Sequence, residues 1–268
     1  MTISDGKMKS TNIILPDALG DWRIETVMRV RGDQVLPSGQ LARDGTLGWK
    51  TTLTDDQLYG QVGFPTPQPI ALVLHIALTA ALNARIARKN ITYPRISDSG
   101  ARCAEAVQAP LLYEYFEQCM ITAVFAFQSI ELFAKHKIWN KVRAPLTIQR
   151  KNRKSKLTPD QLERSLSTDD KISQVLPQLF QTSIDATSDL WTRYTSLKKM
   201  RDSIVHLKSK DHYIRGKIDE DSIYYKCLNV DPIELPWTSV SLMRFFVKHC
   251  EQRWLDASED YLKAVATS

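Results

Sequence analysis

The chain has 268 residues, of which 43% are hydrophobic and 25% are charged, and this balance is typical of a globular protein. The composition excludes a disordered or fibrous class, and the length is enough for one large domain or for one domain with a substantial appendage. The formal net charge of +6 suits a polyanionic partner, but many soluble proteins with no such partner carry a similar charge.

Residues 1–67 differ in composition from the rest of the chain. Glycine and proline are frequent there and helical periodicity is absent, while residues 22–31 alternate in part like a strand that Gly32 and Asp33 could turn back. We therefore predict a small β-containing N-terminal arm over 1–67. The proline-rich segment through Pro69 is the best linker candidate, and it would lead into a helical domain over 68–268.

The N-terminal sequence and the longest apolar run both argue against export or membrane insertion. Residues 1–11 contain no apolar signal core, so we expect a cytoplasmic protein. The apolar run over 70–82 has about 13 residues, which is too short to span a bilayer. It predicts a buried core helix and no membrane partner.

Long apolar stripes at helical spacing begin at Leu111. One stripe covers about six turns over 112–134, a second helix should start near Ser183 or Thr187 and run to about Leu207, and a final helix carries a stripe over 240–265. Such stripes can be buried only against one another, so the sequence predicts a mainly α fold, a helical bundle with its core at about 110–265. Between the last two helices, 209–237 predicts an irregular excursion or hairpin that includes a β-like run over 222–228.

The four cysteines form no recognisable metal or disulfide pattern. Cys103, Cys119, Cys227 and Cys250 are far apart and show neither CxxC nor Cys/His spacing. Cys119 and Cys250 fall on apolar stripes, so we expect them to be buried as small hydrophobic residues. The chain also has no glycine-rich phosphate loop and no GxSxG sequence, and we therefore predict no metal and no cofactor.

A basic segment lies at 149–156, with the sequence QRKNRKSK. Five cations without an aromatic residue among them suit contact with phosphates better than reading of bases, and the alternative is a solvated connector. We predict a loop here, followed by a short helix that starts at Thr158 and Pro159. The predicted RNA-binding residues are Arg150, Lys151, Arg153, Lys154 and Lys156.

The sequence RDSIVH at 201–206 is the strongest candidate for chemistry. It places a permanent cation, Arg201, a carboxylate, Asp202, and an imidazole, His206, within two helical turns. Asp202 and His206 are four residues apart, so the carboxylate could orient the imidazole. Arg201 is five residues before His206, roughly 140° around a helix. One copy of the helix therefore gives a splayed site, and two copies across a two-fold axis could converge into one cleft.

Glu131 lies on the edge of the long stripe at 112–134. Its carboxylate could reach Arg201 across the bundle and support it there. The alternative is that Glu131 merely flanks the stripe with its charged end in water.

An arginine, a polar residue, three further residues and a histidine at the end of a helix resemble the signature of the HEPN superfamily of helical-bundle ribonucleases. The resemblance covers RDSIVH and, more loosely, 110–265. It implies a HEPN-like bundle in which Arg201 and His206 carry metal-independent RNA cleavage at the interface of a homodimer, with Asp202 in support. It also suggests a prokaryotic toxin or antiviral-defence effector, with a possible cognate antitoxin or defence-system protein as a partner.

Two other functions remain open from the sequence. The chain could be a non-catalytic helical module that binds a protein partner. In one such branch of the superfamily, a nucleotidyltransferase modifies a tyrosine two residues after the motif histidine. Lys208 stands at that position, which disfavours this branch. The chain could also be a basic nucleic-acid-binding protein in which RDSIVH has no catalytic role.

Overall fold

The computed structural model divides the chain into two compact units, residues 1–72 and 73–268, and each is described by itself. It describes residues 13–14, 21–29, 33–35, 41–44, 47–49, 51–97, 100–150, 153–207, 220–247 and 253–266.

The N-terminal unit consists of short antiparallel strands, which confirms the prediction of a small β-containing region. The strands are β1 (Ile13–Ile14), β2 (Thr26–Arg29), β3 (Gln34–Val35), β4 (Leu41–Ala42), β5 (Leu47–Trp49), β6 (Thr51–Asp56) and β7 (Gly60–Pro65). One sheet has three strands in the order β1-β5-β2, and the pairs β3–β4 and β6–β7 form separate ladders. Strand β2 falls within the predicted strand over 22–31, but its ladder partner is β5.

Helix α1 (Pro69–Asn90) crosses the boundary between the two units. Leu74, Leu78 and Ala81 are fully buried, as predicted for a core helix. The helix has 22 residues and is longer than the apolar run that predicted it, because the polar residues after Leu82 continue it. Helix α1 is therefore long enough and apolar enough to cross a membrane, judged by its length and composition alone. Half of the residues in its most apolar 18-residue stretch are buried inside the protein.

The second unit is a helical bundle around one long helix, α2 (Ala109–Lys141), so the predicted mainly α fold is confirmed. The strands β8 (Arg95–Ile96) and β9 (Arg102–Cys103) and a 3₁₀ turn at Ala106–Gln108 precede α2. Its buried face carries the predicted stripe, with Phe127, Ile130 and Ala134 almost completely removed from solvent. This stripe makes α2 the element against which the other helices of the bundle pack.

The basic segment after α2 forms a β-hairpin, so the prediction of a loop was wrong. Strand β10 (Leu146–Arg150) pairs with β11 (Arg153–Leu157) in an antiparallel register. Ile148 and Leu157 are buried in a cluster with Ile138 of α2 and Val142, the residue that follows α2. The apolar residues alternate along the strands, and the basic residues between them concealed this period-two pattern in the sequence.

A short helix follows the hairpin as predicted. Helix α3 (Pro159–Ser165) starts with Pro159 and has a capping box, in which Thr158 accepts the backbone N–H of Gln161 while the Gln161 side chain accepts that of Thr158. The next helical stretch comprises α4 (Thr168–Asp170), a π-helical turn at Lys171–Val175 and α5 (Leu176–Phe180). Pro177 lies just after the π-helical turn and has no N–H for a regular helical bond, which accounts for the irregularity.

The remaining helices are α6 (Asp189–Val205), α7 (Ile223–Leu228), α8 (Glu234–Phe246) and α9 (Arg253–Ala266). Two predictions for this region were wrong. The β-like run over 222–228 is the helix α7, because the Ser222 side chain accepts the N–H of Tyr225 and caps the turn. The stripe over 240–265 belongs to two helices, since α8 ends at Phe246 and α9 begins at Arg253.

Candidate functional site

Helix α6 carries the RDSIVH motif at its C-terminal end. Ser188 caps the helix by accepting the N–H of Trp191. Tyr194, Leu197 and Met200 are buried on one face. Helix α6 packs against both α2 and α8 through this region. The burial fixes the helix in the bundle, and with it the position of the motif residues one turn further along.

Arg201 lies against the long central helix. Its guanidinium carbon is 4.1 Å from the centroid of the Phe127 ring, and its Nη1 is 2.8 Å from Oδ1 of Asp202. The Arg201 side chain is 24% exposed. The aromatic face and the carboxylate both hold the cation in place, while the planar guanidinium keeps further N–H groups for an anionic ligand.

A polar and aromatic network extends from Arg201 into the bundle. The ring of Phe127 stacks on that of Tyr194 with 6.0 Å between centroids, and the Tyr194 hydroxyl donates to Oδ1 of Asp169 at 2.5 Å. Lys198 also pairs with Asp169. Burial and the hydrogen bond to Asp169 raise the pKa of Tyr194, so the hydroxyl remains protonated and acts as a donor.

His206 lies just beyond the helix. Its backbone N–H still donates to the Asp202 carbonyl at 3.0 Å, but φ of −120° and ψ of 58° show that helical geometry has ended. The imidazole is exposed and has no side-chain partner within the described part of the chain. The Asp202 carboxylate contacts Arg201. Among the described residues, it makes no contact with the His206 imidazole.

A second cation meets the motif helix from α7. The ammonium of Lys226 donates to Oγ of Ser203 at 2.8 Å, and that hydroxyl donates to the Lys199 carbonyl at 2.8 Å. Lys226 thus adds positive charge beside RDSIVH. No local sequence pattern predicts this contact, because 23 residues separate Lys226 from Ser203.

Glu131, the predicted support for Arg201, has a different partner. Its Oε1 lies 3.0 Å from Nζ of Lys135, one turn further along α2. This is an ordinary pair on the edge of a helix, which contributes only tenths of a kcal/mol, roughly 0.3–0.5. An ion pair between Glu131 and Arg201 is not found in the described ranges.

The basic hairpin presents Lys154 and Lys156 on its outer face. Their cross-strand partners are Gln149 and Thr147, and the alternate positions hold the buried Ile148. Arg153 is exposed as well. Of Arg150 only the backbone belongs to the described structure, and Lys151 lies outside the described residues.

The hairpin lies near the C-terminal end of α2, whereas Arg201 of the motif contacts the middle of this helix at Phe127. The hairpin packs at Ile138 and Val142, whereas α7, which contacts the motif through Lys226, packs near Tyr115 and Phe116. At 1.5 Å per residue, Ile138 is roughly 16 Å along α2 from Phe127 and roughly 33 Å from Phe116. Within one chain, an RNA strand that contacts both regions would therefore have to span several nucleotides.

A cavity of about 480 Å³ opens beside the motif helix, between α6, α7 and α8. Its walls are mainly apolar, with polar and charged groups from each helix. Lys226 lines it and also contacts Ser203, so the cavity adjoins the motif. The other charged residues of its wall are Arg193, Lys199 and Glu234.

The cysteines are buried or set apart from the motif. Cys119 and Cys227 are both fully buried, with Sγ of Cys119 3.9 Å from the Cys227 carbonyl oxygen, while Cys250 lies outside the described residues. The burial of Cys119 confirms its prediction. Among the residues that the structure describes, no three histidine, cysteine or acidic side chains are grouped to hold a metal ion.

Comparison with known proteins found no family model that matches the sequence, no similar curated protein and no similar solved structure.

Proposed function

We propose that this protein is a metal-independent endoribonuclease that cleaves RNA by attack of the 2′-hydroxyl on the adjacent phosphate, at a site shared by two copies of the chain. The observation that carries the proposal is the arrangement at the end of α6. Arg201 is held by Phe127 and Asp202, and the exposed imidazole of His206 follows one turn later.

The side chains at this end of α6 match the demands of the reaction. RNA contains its own nucleophile, so cleavage needs a base for the 2′-hydroxyl proton, an acid for the leaving 5′-oxygen and cations for the phosphorane. An imidazole can serve as base or acid near neutral pH. Arg201 supplies a fixed, planar donor to the phosphate oxygens, and Lys226 adds a second positive charge nearby.

In this proposal Asp202 positions the arginine. Its Oδ1 is 2.8 Å from Arg201 Nη1, and its backbone carbonyl accepts the N–H of His206. The carboxylate thus directs the guanidinium, while the backbone bond fixes the point where the chain leaves the helix. Glu131 has no part in the reaction, because its carboxylate pairs with Lys135.

The surface around His206 supports a homodimer at this site. Val205 and Leu207 flank the histidine and are 52% and 54% exposed, so apolar surface surrounds the proposed catalytic group. Contact with a second copy would cover it and bring a second His206 and Arg201 into one cleft. The two imidazoles could then divide the roles of base and acid.

The proposed biological role is that of a cytoplasmic prokaryotic toxin or antiviral-defence effector, and it rests on the resemblance to HEPN proteins. Such an activity implies control by a partner, such as an antitoxin or another defence-system protein. Exposed Val205 and Leu207 would suit an inhibitor that blocks the site by occupying the dimer surface.

The test is incubation of the full chain with mixed RNA in excess EDTA, followed by analysis of the fragment ends. Cleavage should persist and yield 2′,3′-cyclic phosphates, because none of the proposed groups needs a metal ion. His206→Ala should slow cleavage by about 10²–10⁴-fold. His136→Ala on α2 is the matched control and should retain the activity of the parent chain.

Intact RNA under these conditions would contradict the proposal. If the parent chain and His206→Ala then bind RNA equally well, the protein is a nucleic-acid-binding module. If neither binds RNA, the remaining alternative is a helical module that binds a protein partner.

A further inference from the structure

A second cavity, of about 430 Å³, lies where the end of α1 meets the segment between α7 and α8. Three cations from the last turns of α1 form one wall: Arg85, Arg88 and Lys89. The opposite wall is the segment 228–232. The volume falls within the range of sites for small ligands.

Arg88 is fixed before any ligand arrives. Its Nη1 donates to the Tyr115 hydroxyl at 2.6 Å, its Nη2 donates to the Leu228 carbonyl at 2.6 Å, and the guanidinium lies 5.3 Å from the centroid of the Tyr115 ring. Tyr115 is fully buried and donates in turn to the carbonyl of Cys227. An arginine held in this way loses little conformational entropy when it binds a ligand.

Arg85 is held by one hydrogen bond, in which its Nη1 donates to the Val265 carbonyl at 2.8 Å. In the part of the chain that the structure describes, the partners of both guanidinium groups are neutral oxygens, which do not compensate their charge. An arginine has five N–H donors, so each group retains donors for an anion. The ammonium of Lys89 is exposed and has no partner in the described part of the chain.

Among the described residues, one carboxylate lines the cavity, that of Asp231. Its Oδ1 accepts the N–H of Ile233 at 3.1 Å, and it forms no ion pair with the three cations among the residues described. The wall thus has three positive groups and one negative group. A concave site with this excess of positive charge attracts anions strongly, because its walls exclude part of the screening solvent.

We infer that this cavity binds the phosphate group of a nucleotide, either free or within a nucleic-acid strand. Guanidinium groups that are rigidly held and an unpaired ammonium suit phosphate oxygens. Asn229 and Val230 separate this cavity from the more apolar one beside α6, so a sugar or base attached to the phosphate would find apolar surface next to the anion site. The inference does not depend on cleavage by His206.

Two probes distinguish the sources of the phosphate. Binding to the full chain is measured by calorimetry at low salt, with adenosine monophosphate as the free nucleotide and a 2′-O-methyl RNA strand as the strand, which cannot be cleaved through its 2′ position. Lys89→Glu is the test variant, because this lysine is exposed and has no hydrogen bond or ion pair with any residue that the structure describes. Arg102→Glu is the control, an exposed cation on β9 that does not line the cavity.

Lys89→Glu should weaken binding of at least one probe by about tenfold or more, while Arg102→Glu leaves it unchanged and Lys89→Arg restores most of it. If Lys89→Glu weakens the binding of adenosine monophosphate, the cavity is a site for a free nucleotide. If the variant weakens only the binding of the RNA strand, the cavity is a phosphate subsite for nucleic acid. If the parent chain binds neither probe, or if Lys89→Glu binds both as tightly as the parent, the inference is wrong. Because neither probe reports cleavage, a failure of the nuclease proposal leaves this result unaffected.

Discussion

The guanidinium of Arg201 lies over the ring of Phe127, with 4.1 Å between the guanidinium carbon and the ring centroid. This contact joins the motif to the middle of the central helix. It also explains why a cation at this position is half-buried. The aromatic face and the Asp202 carboxylate together compensate for part of the hydration free energy that the Arg201 guanidinium loses.

We expect Phe127→Leu to reduce RNA cleavage although Phe127 is not a catalytic residue. Leucine keeps the site apolar but removes the ring that orients Arg201, at a cost in stability of roughly 1–2 kcal/mol. The cleavage rate should fall by more than the loss of stability explains. The Michaelis constant should rise, because the Arg201 guanidinium that donates to the phosphate is misplaced. Phe133→Leu is the control, since Phe133 is equally buried on the same helix. Equal kinetic effects for the two variants would contradict an orienting role.

Substitution of Arg201 itself separates charge from geometry. Arg201→Ala should abolish cleavage and weaken RNA binding, and Arg201→Lys should restore little activity, because one ammonium cannot reproduce the planar donor fork. Cleavage rate, RNA affinity and circular dichroism are measured for both variants. A fully active Arg201→Lys protein would show that the site needs only a positive charge.

The proposed dimer predicts that the apolar surface beside His206 is essential. Val205→Glu together with Leu207→Glu should give a monomer by light scattering and should lose cleavage, while circular dichroism remains that of the parent chain. Leu53→Glu on β6 is matched in exposure at 52% and should change neither property. A double variant that is monomeric and fully active would refute the shared site.

The sequence predicted the bundle well because its helices are long and periodic. The stripe of α2 and the cap of α3 are local signals, and both elements occur where these signals placed them. The hairpin at 146–157 was missed because basic residues occupy its outer positions and obscure the alternation of Leu146, Ile148 and Leu157. Helix α7 was missed because its tyrosines and isoleucine favour strands, whereas a serine cap decided the outcome.

The site was only partly accessible from the sequence. The spacing of RDSIVH placed Arg201 near the end of a helix beside an apolar stripe, as the structure has it. The contacts of Arg201 with Phe127 and of Lys226 with Ser203 join distant parts of the chain, and no local pattern encodes them. The expected approach of Asp202 to His206 assumed a helix that continued through the histidine, but the helix ends at Val205.

The basic hairpin remains a predicted RNA-binding element. Lys154→Ala together with Lys156→Ala should lower the salt dependence of RNA binding, with the slope of log K against log salt falling by about 0.7 for each phosphate contact removed. The control is Arg164→Ala on the adjacent α3, where the arginine already pairs with Asp160. Because the hairpin packs roughly 16 Å along α2 from the contact between Phe127 and Arg201, the effect should require RNA of several nucleotides. An unchanged slope with long RNA would exclude the hairpin from the binding surface.

Lys171 in the π-helical turn gives a prediction about stability and pH. Its side chain is buried, with the residue only 2% exposed, and no carboxylate of the described residues lies within ion-pair distance of its ammonium. Burial lowers the pKa of Lys171 below the ordinary value of 10.5. The charge of Lys135 lowers this pKa further, and the charges of Glu131 and Glu163 oppose the shift. The folded state therefore holds this proton less firmly than the unfolded state does.

The direction in which pH changes the stability follows from the number of protons that the folded and unfolded states bind at Lys171. Between the lowered pKa and 10.5 the unfolded chain binds more protons at this position, so the contribution of Lys171 to stability rises with pH across that window. At neutral pH the burial of the charged Lys171 ammonium still lowers the free energy of unfolding by its full amount. Lys171→Met should remove this cost, raise the free energy of unfolding at neutral pH and flatten the rise toward alkaline pH. Urea denaturation of parent and variant from about pH 7 to about pH 10 measures the difference, and Lys154→Met, at an exposed lysine, should follow the parent. A Lys171→Met protein that is less stable than the parent at neutral pH would show that attraction to Glu131 and Glu163 outweighs the cost of burial.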